Sequence, residues 1–222
     1  ISRISYEEML ELASLGAKVL QRRSVEVAMK YGVPLHVRSS LSDVPGTCVV
    51  GEDTALESVV VTGVTYDKSE ARVMLVSVDD KPGVVATIFG ELAEEHISVD
   101  MIIQNAAADA QDRTDVTFTV AKSDLDKVEP IMKELSGKLG AKSVQYDERV
   151  AKVSIVGLGM RSHAGVASKM FGILAQEGIN VQAISTSEIK VSCLVAAKYA
   201  ELAVRALHDG FELEVEPDRI ED

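Results

Sequence analysis

The chain has 222 residues, of which 46% are hydrophobic and 26% are charged, and this composition excludes a disordered or a collagen-like protein. It has no apolar run of about eighteen residues, so no membrane span is expected. The net charge of −12 argues against nucleic acid and anionic membrane surfaces as partners. Two cysteines, Cys48 and Cys193, and acidic residues near the start favour a cytoplasmic protein without a disulfide framework or a secretory signal.

The first 52 residues predict two helices and two short strands. Ser5 is a suitable cap for the first helix, Gly16 interrupts it, and a second helix is predicted over Ala17–Tyr31. The two strands are predicted at Leu35–Arg38 and Thr47–Val50. So few elements do not enclose a core of their own, so residues 1–52 are interpreted as the tail of a larger domain. The start at Ile1 favours a piece of a longer protein.

An internal repeat is the most informative feature of the remaining sequence. The segment that begins at Gly83 matches the segment that begins at Gly165 without gaps, at an offset of 82 residues. The positions that recur identically are Gly83, Val84, Phe89, Gly90, Leu92, Ile97 and Val99. This number of matches in one short window indicates two copies of one structural unit.

Each copy has the predicted order β-α-β-β-α-β. The elements of the first copy are Arg72–Val78, Gly83–Glu94, Ser98–Gln104, Thr114–Val120, Asp124–Leu135 and Ser143–Val150. Those of the second are Lys152–Leu158, Gly165–Gln176, Asn180–Ser185, Ile189–Val195, Tyr199–His208 and Phe211–Val215. This order is that of the ferredoxin-like unit, in which both helices cover one face of an antiparallel sheet. The predicted fold class is therefore α+β, with tandem units at 67–149 and 150–222 after a linker and an extra strand, Val59–Thr65, within 53–66.

Both copies place a glycine at the start of a helix, in Asp80-Lys81-Pro82-Gly83 and in Ser162-His163-Ala164-Gly165. The N–H groups of a helix start bind carboxylates and phosphates, and polar residues on the following strand could accept hydrogen bonds from an ammonium group. Together these groups suit a free α-amino acid. The alternative is that the glycines only allow close packing of helix on sheet, and spacing alone leaves both interpretations open.

Motifs for catalysis, dinucleotides and metals are missing or incomplete. Gly157-Leu158-Gly159 lacks the third glycine of the dinucleotide fingerprint, because position 162 is serine. The four histidines are scattered along the sequence, so no metal site is predicted. Cys193 lies in an apolar strand and is interpreted as a buried small hydrophobe. These features favour a binding module over an enzyme.

Several motifs resemble the carboxy-terminal part of the aspartate kinase family. The stretch from Ser5 to Leu20, with Gly16-Ala17-Lys18-Val19-Leu20, is similar to the last helical portion of the kinase domain in that family. Asp80-Lys81-Pro82-Gly83 and Val99-Asp100-Met101-Ile102-Ile103-Gln104 are similar to its first ACT domain. Ser162-His163-Ala164-Gly165-Val166 and Ile184-Ser185-Thr186-Ser187 are similar to its second. ACT domains are ferredoxin-like amino-acid sensors.

The resemblance implies feedback control by end-product amino acids, lysine, threonine or both, bound where ACT domains of two chains pair. The first effector site is implied at Asp80, Gly83, Val85, Ser98, Val99, Asp100 and Gln104. The second is implied at Arg161, Val166, Ala167, Asn180, Val181 and Ser187, with Glu188 as an additional candidate. The family also tends to insert its first ACT unit into the second, which would assign the strand Val59–Thr65 to the second unit.

Little of the kinase active site is present in the sequence. Lys18 and Val19 correspond to a nucleotide-contacting stretch of the family, whereas its amino-terminal motif and aspartate-binding segments are missing. The parent enzyme would use ATP and Mg²⁺, but one lysine does not form a phosphate site, and this chain is expected to be inactive alone. The expected partners are a second copy, through the ACT domains, or a kinase-containing chain. The alternatives are a dimerisation module without ligand and an ACT sensor of another amino-acid pathway enzyme.

Overall fold

The computed structural model describes residues 1–52, 54–104 and 112–214. Its α-carbon contacts divide the chain into two compact units, one formed by 68–150 and the other by 1–67 together with 151–222. In the order of the sequence, the unit 68–150 is thus inserted between the two segments of the other unit. None of the helices in the described ranges is long and apolar enough to cross a membrane.

The amino-terminal segment, residues 1–62, forms the first layer of the discontinuous unit. Its elements are β1 (Arg3–Ser5), α1 (Tyr6–Ser14), α2 (Arg22–Tyr31), β2 (Leu35–Val37), β3 (Thr47–Val50) and α3 (Thr54–Glu57). Strand β3 lies between β1, to which it is parallel, and β2, to which it is antiparallel. The buried apolar side chains between Ile4 and Val49 pack together with Val156.

Three sequence predictions for this segment are corrected by the structure. The second helix begins at Arg22 and not at Ala17, because Gly16 and Lys18 have left-handed φ values of 103° and 53°. The predicted linker contains the short helix α3, and the extra strand is Gly63–Asp67, which we call β4, in place of Val59–Thr65. Strand β1 was not predicted, because three residues paired with a strand more than forty positions away leave no local pattern.

The continuous unit, residues 68–150, has the predicted β-α-β-β-α-β order. Its elements are β5 (Glu70–Asp79), α4 (Val84–Glu94), β6 (Val99–Gln104), β7 (Arg113–Ala121), α5 (Leu125–Lys138) and β8 (Ser143–Asp147). The antiparallel sheet has the order β6-β7-β5-β8, so β6 and β8 are its edges. Phe118 is fully buried between sheet and helices. Its ring contacts that of Phe89 edge to face, with 5.4 Å between the two ring centroids.

The second β-α-β-β-α-β unit is completed by a strand from another part of the chain. Its own elements are β9 (Val150–Val156), α6 (Val166–Gln176), β10 (Ala183–Ser187), β11 (Lys190–Ala196) and α7 (Ala200–Gly210). The sheet order is β10-β11-β9-β4, in which β4 pairs antiparallel with β9. The predicted closing strand at Phe211–Val215 is wrong for residues 211–214, which form a turn, and Val215 lies outside the described residues. Its place at the sheet edge is occupied by β4.

Candidate functional site

Gly83 and Gly165 begin α4 and α6 in the same unusual backbone conformation. Their φ values are +98° and +92°, in the left-handed region that glycine adopts without strain, and neither helix start has a side-chain cap. A Cβ atom at either glycine would meet no atom within 4 Å. Close helix packing is therefore not the reason for these glycines. Each gives the chain a sharp turn into a helix start without a side-chain cap, where the N–H groups of the first turn attract an anion.

At the first helix start, two of the predicted site residues come together from different strands. The side-chain Nε2 of Gln104, at the end of β6, donates to Oδ1 of Asp80 over 3.4 Å. The backbone N–H of Asp80 donates to the carbonyl oxygen of Asp112 at 2.7 Å, so the turn after β5 is also held by the start of β7. An acidic and an amide group therefore lie side by side next to an open helix start.

The other residues predicted for the first site lie on the same elements. Ser98 and Asp100 are exposed around the start of β6, and Val99 and Val85 are half-buried. Because β6 is an edge strand, these side chains lie at a margin of the sheet and not in its centre. The structure places them along one edge and one helix start, and their part in ligand binding stays a prediction.

Arg113 fixes the turn that carries Asp80, and sequence reasoning missed it. A register shift in β5 between Leu75 and Val78 leaves Ser77 at a φ of 55°. Arg113 Nη1 donates to Asp79 Oδ1 at 2.6 Å, Nε donates to Ser77 Oγ at 3.2 Å, and Nη2 donates to the carbonyl oxygens of Ser77 and Gly140. The sequence signal was a basic residue at the start of a strand in which Asp115 is the one other charged residue.

The charges around this turn lower the pKa of Asp79. The largest cause is the hydrogen bond from Lys81 Nζ at 2.8 Å, followed by the charge of Lys81, with Arg113 adding to both effects. Asp79 is therefore held as a carboxylate between two cations. This leaves Asp80 as the acidic side chain of the turn that faces Gln104.

The second helix start is preceded by a short 3₁₀ turn, Leu158–Arg161, that ends in a charged contact. Arg161 Nη1 donates to Glu52 Oε2 at 3.0 Å, and its Nε lies 3.5 Å from Glu188 Oε2. The hydrogen bond to Glu52 is the main cause that raises the pKa of Arg161. The structure thus connects two predicted residues of this site, Arg161 and Glu188, to a residue of the amino-terminal segment that was not predicted.

The remaining residues of the second predicted set lie at the start of α6 and along the chain from 180 to 187. Val166 is buried, Ala167 and Val181 are half-buried, and Asn180 and Ser187 are exposed. Val166 and Ala167 begin α6, Ser187 ends the edge strand β10, and Asn180 and Val181 precede that strand. Their role as a binding site also stays a prediction.

Gly157 and Gly159 serve backbone packing. A Cβ atom at Gly157 would lie 2.3 Å from the carbonyl oxygen of Val60, and one at Gly159 would lie 2.6 Å from that of Val59. The N–H of Gly159 donates to the Val59 carbonyl at 3.1 Å. The two glycines therefore let the amino-terminal segment run directly against the end of β9, which explains the incomplete dinucleotide motif.

Two further groups are candidates for a nucleophile and a metal site. Cys193 is fully buried, and burial raises the pKa of its thiol to about 12, which makes it inert as a nucleophile. His208, Asp209 and Glu214 bring their ligand atoms within 4.8 Å of one another at the end of α7, but all three are half or fully exposed. Such an exposed group carries no metal assignment.

The nucleotide-contacting residues implied by the resemblance lie on the surface. Lys18 is exposed, and Val19 is 58% exposed. The left-handed conformation of Lys18 directs the chain into a turn between α1 and α2. A single exposed ammonium group does not by itself provide a phosphate site, so no catalytic step is assigned to it.

Comparison with known proteins identifies both units. The ACT domain profile matches residues 72–137, and a second ACT domain profile matches residues 153–211. An aspartate kinase of Pseudomonas fluorescens is 50% identical over 215 residues, which cover 96% of this chain and 52% of the relative. The crystal structure of the ligand-free regulatory subunit of aspartate kinase from Thermus thermophilus is 38% identical with a TM-score of 0.65, covering 68% of this chain and 99% of that one.

A more distant solved structure also covers nearly the whole chain. Aspartokinase III of Escherichia coli, in complex with lysine and aspartate, is 25% identical with a TM-score of 0.70. The match covers 95% of this chain and 46% of that one.

The two β-α-β-β-α-β units are ACT domains, and the expected fold class is confirmed. The chain belongs to the aspartate kinase family and contains the regulatory ACT region of that family. It spans about half the length of the curated relatives that it matches. From here on, residues 68–150 are called the first ACT domain, and β4 with residues 151–214 the second.

Proposed function

We propose that this chain binds end-product amino acids, lysine, threonine or both, at its ACT domains and thereby mediates feedback inhibition of aspartate phosphorylation. The observation that carries the proposal is the first site, where the Asp80–Gln104 pair lies beside the uncapped start of α4. Support comes from the Escherichia coli relative, whose solved structure is described as a complex with lysine.

The chemistry of the first site matches the groups of a free amino acid. The helix start attracts the α-carboxylate through its N–H groups and its dipole. Asp80 offers carboxylate oxygens to an ammonium group. Because Gln104 donates its Nε2 to Asp80, its Oε1 faces away as an acceptor for the hydroxyl of threonine or an ammonium of lysine.

The edge strands of both ACT domains offer a surface for pairing with a second chain. Ile102 on β6 is 52% exposed and Ile184 on β10 is 45% exposed, and they occupy equivalent positions of the repeat. Exposed apolar side chains on an edge strand favour strand-to-strand association. We therefore assign pairing to these edges, with a second copy or with a kinase-containing chain as partner, in the cytoplasm.

Inhibition would act through a shift between two arrangements of the assembly. An effector changes the populations only by binding one arrangement more tightly, with a coupling of about 1–3 kcal/mol. In the parent enzyme the affected reaction is phosphoryl transfer from ATP with Mg²⁺ to aspartate. This chain, which retains only Lys18 and Val19 of the nucleotide contacts, is expected to show no aspartate-dependent ATP turnover above background in a coupled assay.

Titration calorimetry with lysine and threonine, alone and together, tests the proposal. We expect saturable heat with the unaltered chain and a loss of affinity of about tenfold in Gln104→Leu and in Asp80→Asn, the cost of one removed polar contact. Gln145→Leu on the opposite edge strand, β8, and Asp126→Asn on α5 are matched controls. Both should bind normally, since both side chains are exposed and neither lies on β6 or in the turn before α4. If neither amino acid produces heat or changes the melting temperature, the proposal is contradicted. The alternative of a dimerisation module that binds no ligand would then be favoured.

A further inference from the structure

Glu8 is a fully buried carboxylate that accepts hydrogen bonds from two parts of the molecule. It lies in the first turn of α1 with a relative exposure of 1%. Its Oε2 accepts from the Ser5 N–H at 3.1 Å and from the Ser5 hydroxyl at 3.0 Å, which closes a capping box. Its Oε1 accepts from the Leu158 N–H at 2.9 Å and from the Thr62 hydroxyl at 2.5 Å. A capping box needs only the bond from the Ser5 N–H to Oε2 and the bond from the Glu8 N–H to Ser5 Oγ, which is also present at 3.1 Å, so the two bonds of Oε1 are additional.

The Oε1 atom of Glu8 therefore has a separate role. One of its partners, Leu158, belongs to the second ACT domain, and the other, Thr62, directly precedes β4. A buried carboxylate is tolerated only when it is well hydrogen-bonded, and losing one partner leaves a buried polar group unpaired. Leu158 is fully buried and follows closely after β9, while Thr62 directly precedes β4. Glu8 thus joins α1 to the two adjacent strands β9 and β4 at one point.

The turn that begins at Leu158 leads to the second predicted effector site. It ends at Arg161, which is bound to Glu52 of the amino-terminal segment, and α6 begins a few residues later after Gly165. Both ends of this turn are therefore attached to the amino-terminal segment. In the first ACT domain the equivalent turn is attached to Arg113 of the same domain.

We infer that Glu8 is a positioning residue that holds the turn Leu158–Arg161 against the amino-terminal segment, so that the contact of its Oε1 atom with Leu158 and Thr62 and amino-acid binding at the second site influence each other. The part about ligand binding rests on the proposed function, whereas the positioning of the turn does not. By linkage, an amino acid bound at the second site should in turn stabilise this contact.

Hydrogen exchange of individual amides in the 222-residue chain, measured by NMR, tests this inference with three variants. Glu8→Gln leaves an NH₂ group facing an N–H donor on one side or the other, and Thr62→Val removes one donor to Oε1 with little change in shape. Ser5→Ala is the matched control, since it removes the hydroxyl bond to Oε2 and the cap that accepts from the Glu8 N–H but keeps both bonds of Oε1. We expect exchange at Leu158 to rise about tenfold or more in Glu8→Gln and in Thr62→Val, and to stay unchanged in Ser5→Ala.

Affinity at the second site is the second readout, measured in a Gln104→Leu background in which the first site is expected to bind about tenfold more weakly. Glu8→Gln should weaken amino-acid binding about fivefold or more, whereas Ser5→Ala should lower the melting temperature without changing affinity. Exchange at Leu158 that is unchanged in Glu8→Gln, or that rises equally in Ser5→Ala, would overturn the inference. If the unaltered chain binds no amino acid, the proposed function fails, and the exchange measurement alone still decides whether Glu8 positions the turn.

Discussion

The two ACT domains share one topology, but they differ in the source of their last strand. They also differ in which residues hold the turn before the first helix, which carries candidate site residues. The first domain supplies its own fourth strand, β8, and fixes its site turn with its own Arg113. The second takes β4 from before the insertion, and its site turn is held by Glu8 and Glu52 of the amino-terminal segment. The difference teaches that one copy of a repeat can remain self-contained while the other becomes dependent on the preceding segment.

This dependence has a physical origin in chain connectivity. The first domain is inserted in the sequence between β4 and β9. These two strands pair with each other although more than eighty residues separate them. The amino-terminal segment is thereby brought directly onto the end of β9, where Val156 joins its core. A signal from the second domain would have a short covalent and hydrogen-bonded route into that segment.

Gly157→Ala should produce the largest loss of stability, and this loss should affect the second ACT domain but not the first. Its Cβ would collide with the Val60 carbonyl, and forcing apart these backbones should lower the free energy of unfolding by about 3 kcal/mol. Urea unfolding followed by amide exchange should locate the loss in the second domain and the amino-terminal segment, while the first domain keeps its protection.

Gly172→Ala in α6 is the matched control for this prediction. A Cβ atom at Gly172 would meet no other atom within 4 Å, and alanine in a helix interior should stabilise by about 0.5–1 kcal/mol relative to glycine. Equal losses of protection in both domains of Gly157→Ala would contradict the proposed dependence.

Arg113→Ala should have the next largest effect and should act on the first domain. It removes the donor of the Ser77 and Gly140 carbonyls and one of the two cations beside Asp79, at a cost of about 2 kcal/mol. Thermal unfolding and calorimetric titration are the measurements, and affinity at the Asp80 site should fall as well. Arg149→Ala is the control, because that side chain is 94% exposed and should contribute less than about 0.5 kcal/mol.

The smallest effect concerns the acid stability of the first domain. Since Lys81, and next Arg113, hold the pKa of Asp79 below its ordinary value of 3.8, the unfolded chain binds this proton more readily than the folded one. The contribution of Asp79 to stability is therefore complete above about pH 5 and disappears as the pH falls below 3.8 toward the folded-state pKa.

Urea unfolding of the unaltered chain and of Asp79→Asn at several pH values checks this sign. The stability difference between them should shrink as the medium becomes acidic. A difference that is constant across this pH range would show that the carboxylate charge contributes nothing.

Local pattern predicted the parts of the fold that local interactions determine. Helix α4 begins at Val84, one residue from its predicted start, because Gly83 and the apolar spacing after it act within a single turn. A strand was predicted at Phe211–Val215, but β4 occupies the sheet edge beside β9. Neither segment alone predicts this outcome, since each has the residues of an edge strand and only the topology decides between them.

The candidate sites show the same division. The motif resemblance grouped Asp80 with Gln104, and the structure brings the two side chains within hydrogen-bonding distance. No sequence pattern indicated the role of Glu8, because its bonds to Leu158 and Thr62 span 150 and 54 positions. Long-range polar contacts of this kind leave no periodicity in the sequence.

A crystal structure of the chain grown with lysine and threonine tests the central claim most directly. We predict electron density for an amino acid at the start of α4, with its carboxylate at the helix N–H groups and its ammonium group at Asp80 or Gln104. Density at the start of α6 would assign the second site as well. Helix starts that are filled by the protein's own side chains and closed to solvent, under saturating lysine and threonine, would contradict the account.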